Sequence, residues 1–314
     1  MSTARFARSR IASWGWVSVL AAGLLLLSAC SSSSSKSSGP ISADAGLDTI
    51  KPGVLKVAIQ PYAPYTALVG NKLTGLDSDI INAVADKLGL KVEAQVTDFA
   101  GMLASVQSHR VDITIGGVAW TAERQKQGLF TDPPYYSPPA MAVGPGHTYT
   151  TVNDLEGRNL GTVEGYVWVK SIQAVPGAKL HAYPDANGVF DDLGAGRIDV
   201  GFLDPLIIIA AQKERPGLKI ETQYLTPPSA EEVKARPAYA FFRPYMTSFY
   251  LPKQAPKLER AISAEIRKLY QSGQMTKLIQ TYGGDPNQFL KPSLDVAPTR
   301  RGVDRPADWQ PPSI

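Results

Sequence analysis

Alternation of strand-like and helix-like segments constrains the fold of this 314-residue chain more than any other feature of its sequence. The segments of a first set are strand-like runs at residues 54–59, 91–96 and 111–115 and helical patterns at residues 77–88, 100–108 and from 122 onward. Asp77 or Ser78 is expected to cap the first of these helices. Strands separated by helices build sheets of mainly parallel strands. The pattern therefore predicts an α/β fold.

A second set of segments repeats this alternation from about residue 152. Its members are strand-like runs at residues 159–163, 179–183 and 198–203 and helical patterns at residues 166–173, 186–193 and 205–212. A strand-like run at residues 246–251 and an amphipathic helix at residues 257–271 follow, and residues 275–282 add another turn or two. The architecture of the first half is thus expected to recur in the second.

The C-terminal segment, residues 291–314, breaks the pattern because it is rich in proline and charge. Such a composition buries little apolar surface, and chain ends are often poorly ordered. Two interpretations stay open, a mobile tail and a strap over the surface of the domain. The composition favours a Pro-rich tail.

The N-terminal segment has the features of a lipoprotein signal peptide. Arg5, Arg8 and Arg10 precede an apolar run at residues 17–27 that is short for a membrane span. The only cysteine, Cys30, lies directly after Leu-Ser-Ala and before a serine tract, an arrangement that resembles the lipobox of bacterial lipoproteins.

The lipobox resemblance implies that residues 1–29 are removed and that Cys30 carries the lipid. Residues 30–46 then form a Ser-rich linker, and the folded part is extracytoplasmic and anchored to the cell membrane. The alternative is that Cys30 is a buried thiol near a secretory cleavage site.

Charge and composition exclude several classes of function. The three arginines of the signal segment supply three of the four units in the formal net charge of +4, so the rest of the chain carries only +1. No cluster of basic residues interleaved with aromatic ones is present, which argues against a nucleic-acid partner. With Cys30 lipidated, no thiol remains for a disulfide or a thiolate metal site. His109, His147 and His181 show no metal-ligand spacing, so neither a metal nor a cofactor is expected.

A series of short motifs between residues 54 and 282 resembles one protein family. In chain order the motifs are YAPY at 62–65, GLDSDI at 75–80, DF at 98–99, VDITIGG at 111–117, TAER at 121–124, DPPYY at 132–136, DLEGR at 154–158, Gly165, GRID at 196–199 and Asp204. By their order and spacing, the chain is similar to the amino-acid-type (family 3) solute-binding proteins that deliver ligands to ABC importers.

This resemblance implies a two-lobed, periplasmic-binding-protein-like α/β fold in which each lobe is a sheet with flanking helices. Lobe 1 is expected to comprise residues 47–140 and 247–290, and lobe 2 residues 141–246. Crossing segments near residues 139–146 and 243–250 join the lobes, and a ligand bound in the cleft between them closes the hinge.

The resemblance also implies the two charged contacts to a ligand. An α-amino acid presents a carboxylate and an ammonium on one carbon, so its receptor needs a cation and an anion. Arg124 matches the carboxylate-binding position, in the first turn of a helix after Thr121, and Asp204 matches the ammonium-binding position. The open alternatives are a solvated surface arginine and, because Pro205 follows, an aspartate that only caps a helix.

Aromatic rings are expected around the body of the ligand. Tyr62 and Phe99 match the positions where the family sandwiches the ligand side chain, with ordinary core packing as the alternative. Further aromatic candidates, ranked below this pair, are Tyr65, Trp120, Tyr166 and Trp168.

Three places depart from the family pattern. The loop at residues 59–61 lacks the aspartate often found there. Gly117 and Ala119 stand where the family has a hydroxyl residue, so contacts there are expected from the backbone. Residues 165–167 are Gly-Tyr-Val, where the family has a Gly-Thr-Thr-like helix start. This replacement keeps the backbone N–H donors of Gly165, Tyr166 and Val167 but puts bulkier side chains in place of small hydroxyl residues.

We therefore expect a monomeric binding protein without catalytic residues. It captures an amino acid or related amine and passes it to an ABC permease. One alternative is a periplasmic dehydratase of the cyclohexadienyl or arogenate type on the same fold, for which Glu164 or Asp98 is the available general acid. Another is a ligand-sensing lipoprotein without transport. Glu164 is also a candidate counter-charge for a cationic ligand side chain.

Overall fold

The computed structural model describes residues 46–293 and 296–314 of the chain. The expected signal peptide, the lipidated Cys30 and the linker up to residue 45 lie outside the described residues. Within the described ranges, no helix combines the length and apolar character that crossing a membrane requires.

Strands and helices alternate along the described chain, as the sequence pattern predicts. The strands are β1 (Val54–Ile59), β2 (Ala67–Val69), β3 (Lys72–Thr74), β4 (Lys91–Val96), β5 (Ile113–Thr114), β6 (Leu129–Phe130), β7 (Tyr135–Ser137), β8 (Ala140–Val143), β9 (Asn159–Val163), β10 (Lys179–Tyr183), β11 (Val200–Leu203), β12 (Glu221–Tyr224), β13 (Tyr245–Thr247) and β14 (Tyr250–Leu251). The α-helices are α1 (Leu76–Leu88), α2 (Phe99–Gln107), α3 (Ala122–Gln125), α4 (Trp168–Gln173), α5 (Ala186–Gly194), α6 (Pro205–Glu214), α7 (Ala230–Ala235), α8 (Pro256–Gln271), α9 (Gln274–Thr281), α10 (Pro286–Phe289) and α11 (Val296–Arg300). Short 3-10 helices cover Val152–Leu155, Pro216–Leu218 and Pro237–Phe242.

The first sheet has the strand order β4-β1-β5-β14-β6. Strands β4, β1 and β5 run parallel, and β14 is antiparallel to β5 and β6. In β1 every residue except Lys56 is buried. Such a continuous apolar run is typical of a strand covered on both faces. Helix α8 contributes Leu258, Ile262 and Ile266 to the core at a four-residue spacing, and full burial of each such side chain contributes roughly 1.5–3 kcal/mol.

The second sheet repeats this arrangement with the order β10-β9-β11-β8-β12. Strands β10, β9 and β11 are parallel, and β8 is antiparallel to β11 and β12. The expected two-lobed α/β fold is therefore confirmed. The lobe boundaries at residues 47–140 with 247–290, and at 141–246, stay a prediction.

The chain crosses between the sheets twice. It leaves the first sheet after β6 and returns to it at β14. Strands β7 and β13 lie in these crossings and pair antiparallel, with Tyr245 opposite Ser137. The expected crossing at residues 139–146 is misplaced, because Ala140–Val143 is already strand β8 of the second sheet. The true crossing precedes it.

Helix α1 begins differently from the sequence expectation. Its N-cap is Gly75, which provides no side-chain cap, and Asp77 and Ser78 lie buried within the first turn. The prediction that one of them caps the helix is therefore wrong. The Asp77 carboxylate instead accepts hydrogen bonds from the backbone N–H groups of Gly116 and Gly117, at 2.7 and 3.0 Å.

Residues 296–314, hereafter the C-terminal strap, correct the interpretation of the C-terminus as a mobile tail. Arg300 is fully buried, Trp309 is 8% exposed, and the Pro312 carbonyl accepts a hydrogen bond of 2.6 Å from the Tyr136 hydroxyl. The composition argument failed because buried carboxylates and backbone carbonyls of the domain hold the strap through arginine and tryptophan side chains. Little apolar surface is needed for such anchoring.

Candidate functional site

Asp204 lies at the junction of β11 and α6, at the carboxyl end of a strand in the second sheet. It is the N-cap residue of α6, with Pro205 at the first helical position, but its side chain does not cap the helix. Its carboxylate instead accepts hydrogen bonds from the hydroxyl groups of Ser137 (2.9 Å), Tyr245 (2.6 Å) and Tyr62 (3.0 Å). The interpretation of Asp204 as a mere capping residue is therefore wrong.

Burial raises the pKa of Asp204, and the hydrogen bonds from Tyr245, Ser137 and Tyr62 oppose that shift. The side chain is almost fully removed from solvent, with a residue exposure of 3%. A carboxylate has about four lone-pair sites, and three hydroxyl groups fill three of them. One acceptor position thus remains for a further donor.

Arg124 lies on the short helix α3, which follows the end of β5 in the first sheet. Thr121 caps this helix by accepting a hydrogen bond of 3.0 Å from the backbone N–H of Arg124. The guanidinium donates to the carbonyl of Ala119 at 2.9 Å and to the carbonyl of Gly165 at 2.8 Å. Gly165 follows β9 of the second sheet, so Arg124 connects the two halves of the molecule.

The environment of Arg124 differs from that of a solvated surface arginine. Its guanidinium carbon lies 5.2 Å from the centroid of the Phe99 ring, a distance at which a cation is attracted to an aromatic face. Burial lowers its pKa to about 10. The guanidinium therefore stays charged at neutral pH while part of its hydration shell is replaced by protein groups.

Three aromatic rings meet beside these charged groups. Tyr166 packs edge-on against Phe99, with centroids 4.8 Å apart, and against Tyr62, with centroids 6.0 Å apart. The Gln60 amide donates a hydrogen bond of 2.7 Å to the Tyr166 hydroxyl. All three rings present apolar faces. The hydroxyl groups of the two tyrosines are already hydrogen-bonded, Tyr62 to Asp204 and Tyr166 to Gln60.

Two glycines allow the halves of the site to approach each other. Gly117 has φ +70°, and a Cβ there would lie 3.0 Å from Oδ2 of Asp204. Gly165 has φ +77°, and a Cβ there would lie 3.3 Å from Cδ1 of Phe99. Both the backbone conformation and the space therefore favour glycine at these positions.

The charged and aromatic groups enclose a cavity of about 10 Å³, which is about the room that one water molecule occupies. The residues that line it are Phe99, Gly117, Ala119, Arg124, Tyr166, Val167, Trp168, Asp204 and Tyr245. Since a cation and an anion face one small space, the arrangement suits a zwitterionic ligand.

A comparison with known proteins assigns the family. The model of the bacterial extracellular solute-binding proteins, family 3, matches residues 55–285. The chain belongs to this family. This match covers both sheets and every candidate contact residue, and it ends before the C-terminal strap.

Individual relatives of this family 3 protein include two bacterial binding proteins. The ABC transporter arginine-binding protein 1 of Escherichia coli is 31% identical over 169 residues, which cover 53% of this chain and 69% of the relative. A probable amino-acid-binding protein of Bacillus subtilis is 29% identical over 211 residues, covering 65% of this chain and 75% of the relative. The solved structure of an ancestral arginine-binding protein bound to glutamine is 26% identical with a TM-score of 0.64, and the match covers 75% of this chain and 100% of that one.

The structure of this family 3 protein brings all the expected contact residues together. Seven of them line the cavity, and the remaining two, Tyr62 and Gly165, bond to Asp204 and Arg124. Among the lower-ranked aromatic candidates, Trp168 also lines the cavity. Trp120 does not, and Tyr65 is buried behind Tyr62, with ring centroids 5.5 Å apart.

Sequence reasoning missed three contributors to the site of this family 3 protein. Ser137 and Tyr245 both donate to Asp204, and Gln60 orients Tyr166. A usable signal existed for Tyr245, since it lies in the expected crossing segment at residues 243–250 and a crossing segment borders the cleft. The loop at residues 59–61 lacks the family's aspartate, but its Gln60 supplies a buried amide.

We expect Asp77 to make the stability of this family 3 protein depend on pH. Burial raises its pKa from the ordinary 3.8 to about 6. Between these values the folded state holds a proton that the unfolded state has released, so the contribution of Asp77 to stability falls as pH rises from about 4 to 6 and is constant above. The loss amounts to about 3 kcal/mol at 1.36 kcal/mol per pKa unit.

Asp77→Asn removes this titration while one oxygen still accepts both glycine N–H bonds. We expect the melting temperature of the variant to exceed that of the unmodified protein by an amount that grows between pH 4 and pH 6. Thermal melts at a series of pH values measure this difference. Parallel curves for the two proteins would show that Asp77 does not titrate in this range.

Proposed function

We propose that the protein is anchored to the cell membrane by lipid on Cys30, captures an amino acid or a related amine, and delivers it to an ABC transporter permease. Its family and the names of its relatives support the class of ligand. The linker at residues 30–46, rich in serine, gives the folded part reach above the membrane surface.

The pairing of Arg124 with Asp204 carries this proposal. One follows a strand of the first sheet, the other follows a strand of the second, and both line one cavity. The guanidinium binds the α-carboxylate of the ligand, and the free acceptor position of Asp204 binds the α-ammonium. Phe99 and Tyr166 pack against the ligand side chain.

Binding requires the lobes to separate, because a cavity for about one water is too small for an amino acid. Bonds between the halves hold the closed form: Arg124 to the Gly165 carbonyl, and Tyr62 to Asp204. An exposed ion pair of 2.7 Å between Lys170 and Glu123 adds a weaker contact. A ligand replaces the first of these bonds with its own carboxylate, so its binding shifts the equilibrium between open and closed forms.

A panel of thermal melts tests the proposed function. The domain from residue 40 is heated alone and with each of the twenty standard L-amino acids and several amines. A ligand present at a hundredfold its Kd stabilises the protein by about 2.7 kcal/mol, which is a shift of several degrees for a domain of this size. If no amino acid or amine produces a shift, the proposed ligand class is wrong.

Cys30→Ala is expected to release the protein from the membrane. The variant cannot form the thioether bond to lipid, so it loses the proposed attachment. Fractionation of cells expressing the variant measures the change, with Ser31→Ala as the matched control in the same linker. A variant that stays in the membrane fraction would contradict the anchor.

We also propose that the protein is a monomer that binds without catalysis. A dehydratase needs a general acid at the leaving hydroxyl. Asp98 instead caps α2 by accepting a hydrogen bond from the N–H of Gly101, and Glu164 is exposed; neither belongs to the residues lining the cavity. We expect no turnover of prephenate or arogenate. An aromatic product detected by ultraviolet absorbance would overturn this proposal.

A further inference from the structure

The C-terminal strap is an addition to the family domain, since the family match ends at residue 285. Arg300 lies at the edge strand β6 of the first sheet and donates to the backbone carbonyls of Thr131 at 2.8 Å and Phe130 at 3.0 Å. Its charge is paired with Asp304 through a contact of 2.6 Å. This ion pair lies within the strap and keeps the buried guanidinium neutralised, while the two backbone carbonyls attach the strap to the domain.

A second group of contacts anchors the strap farther along. Arg305 donates to Asp132 at 3.0 Å and to Glu259 at 2.7 Å. The indole N–H of Trp309 also donates to Asp132, at 3.1 Å. Both carboxylates are buried and belong to the lobe built on the first sheet. None of these four residues lines the cavity.

Two strap residues contact the loop that carries Arg124. The carboxylate of Asp304 accepts a hydrogen bond of 3.2 Å from the indole N–H of Trp120. Trp120 lies between Ala119, whose carbonyl accepts from Arg124, and Thr121, which caps the helix of Arg124. The Trp120 ring is also within 5.8 Å of the Arg300 guanidinium.

The opposite side of the same loop is held by a crossing strand. The backbone N–H of Trp120 donates to the carbonyl of Met246 at 3.0 Å. The strap contacts the partner strand of this crossing too, because the Tyr136 hydroxyl donates to the Pro312 carbonyl. Tyr136 precedes Ser137, a donor to Asp204. The strap thus touches the supports of both charged groups without lining the cavity.

We propose that the C-terminal strap positions the ligand-binding cation, with Asp304 as the positioning residue that fixes Trp120 and thereby the loop from Ala119 to Arg124. The proposal rests on the proposed role of Arg124 in ligand binding. Because the strap fixes this loop, the Arg124 side chain already has the position that binds the ligand carboxylate. Less conformational freedom is then lost when the ligand binds.

Asp304→Asn tests this proposal with two matched controls. In the unmodified protein Oδ2 of Asp304 already accepts from both the Arg300 guanidinium and the Trp120 indole. The substitution keeps the size of the side chain but replaces this charged acceptor with a neutral amide. Trp309→Phe removes a strap hydrogen bond of nearly equal length that does not reach Trp120. Asp308→Asn makes the same change of charge at an exposed strap position.

Amide hydrogen exchange is measured by mass spectrometry on the protein without added ligand, at an equal interval below each melting temperature. We expect Asp304→Asn to speed exchange in the peptide covering residues 118–125 by about tenfold, because the hydrogen bond that holds this loop then goes to a neutral amide and no longer to a charged carboxylate. The two controls should stay within twofold there. Equal exchange in Asp304→Asn and Trp309→Phe would reduce the strap to a stabilising element and overturn the proposal.

Ligand affinity supplies a second readout that general destabilisation does not move. For any L-amino acid that stabilises the unmodified protein in the panel of twenty, Asp304→Asn should raise Kd by about tenfold, and Trp309→Phe should leave it within twofold. Unchanged affinity in Asp304→Asn overturns the positioning role. A panel without any ligand refutes the proposed function instead, and the exchange experiment still decides the role of the strap.

Discussion

Arg124→Ala is expected to weaken binding of the amino acid at least a hundredfold while the domain stays folded. The guanidinium is proposed to form two charge-assisted hydrogen bonds to the ligand carboxylate, each worth roughly 1.5–3 kcal/mol. In the protein alone, its partners are the backbone carbonyls of Ala119 and Gly165. Calorimetric titration of the variant measures the loss.

Lys126→Ala is the matched control for this prediction. Lys126 is an exposed cation two residues farther along the chain, so its removal changes the net charge equally without touching the cavity. We expect its affinity to stay within twofold of the unmodified protein. Equal affinities for all three proteins would show that Arg124 does not bind the ligand.

Asp204→Asn is expected to abolish binding of an α-ammonium group and to keep or raise thermal stability. Burial raises the pKa of Asp204, so the fold carries a cost for its ionised form that a neutral amide avoids. One amide oxygen can still accept from Ser137 and Tyr245, and the amide N–H can donate to the Tyr62 oxygen. Affinity should fall at least a hundredfold because the charge opposite the ammonium is gone.

Asp199→Asn provides the control at the other end of the same strand. Its carboxylate accepts a hydrogen bond of 2.8 Å from the backbone N–H of Asn159, a role that an amide oxygen can fill. We expect both affinity and melting temperature to change little. If Asp204→Asn retains the affinity of this control, the carboxylate of Asp204 serves the structure alone.

The sequence predicted the α/β architecture because strand and helix periods are local properties of the chain. The spacing of apolar residues alone indicates whether a segment forms a strand or a helix, as it does at residues 54–59, 91–96 and 205–212. The prediction that Arg124 and Asp204 form one site depended instead on the resemblance of ordered motifs to a family. Neither periodicity nor composition brings together two residues that are so far apart in sequence.

The remaining parts of the site depend on tertiary geometry. Asp77 looked like a helix cap, since aspartate is common at that position, but in the fold it accepts from the amides of Gly116 and Gly117. Ser137 contacts Asp204 only because two crossing strands pair beside the cavity.

The strap shows the limit of composition as evidence. Proline and charge at residues 291–314 are typical of a disordered end, yet Arg300 and Arg305 find buried acceptors that no local pattern reveals. A segment with few apolar residues is therefore ordered when its charged groups match those of the surface beneath it.

Calorimetric titration with derivatives of the bound amino acid tests the central claim most directly. The amino acid identified in the panel is compared with its decarboxylated amine and with its N-acetyl derivative, which lack the charge for Arg124 and for Asp204 respectively. Because both charged contacts are required, each derivative should bind at least a hundredfold more weakly than the parent. If either derivative binds as tightly as the parent, the corresponding residue does not recognise the ligand.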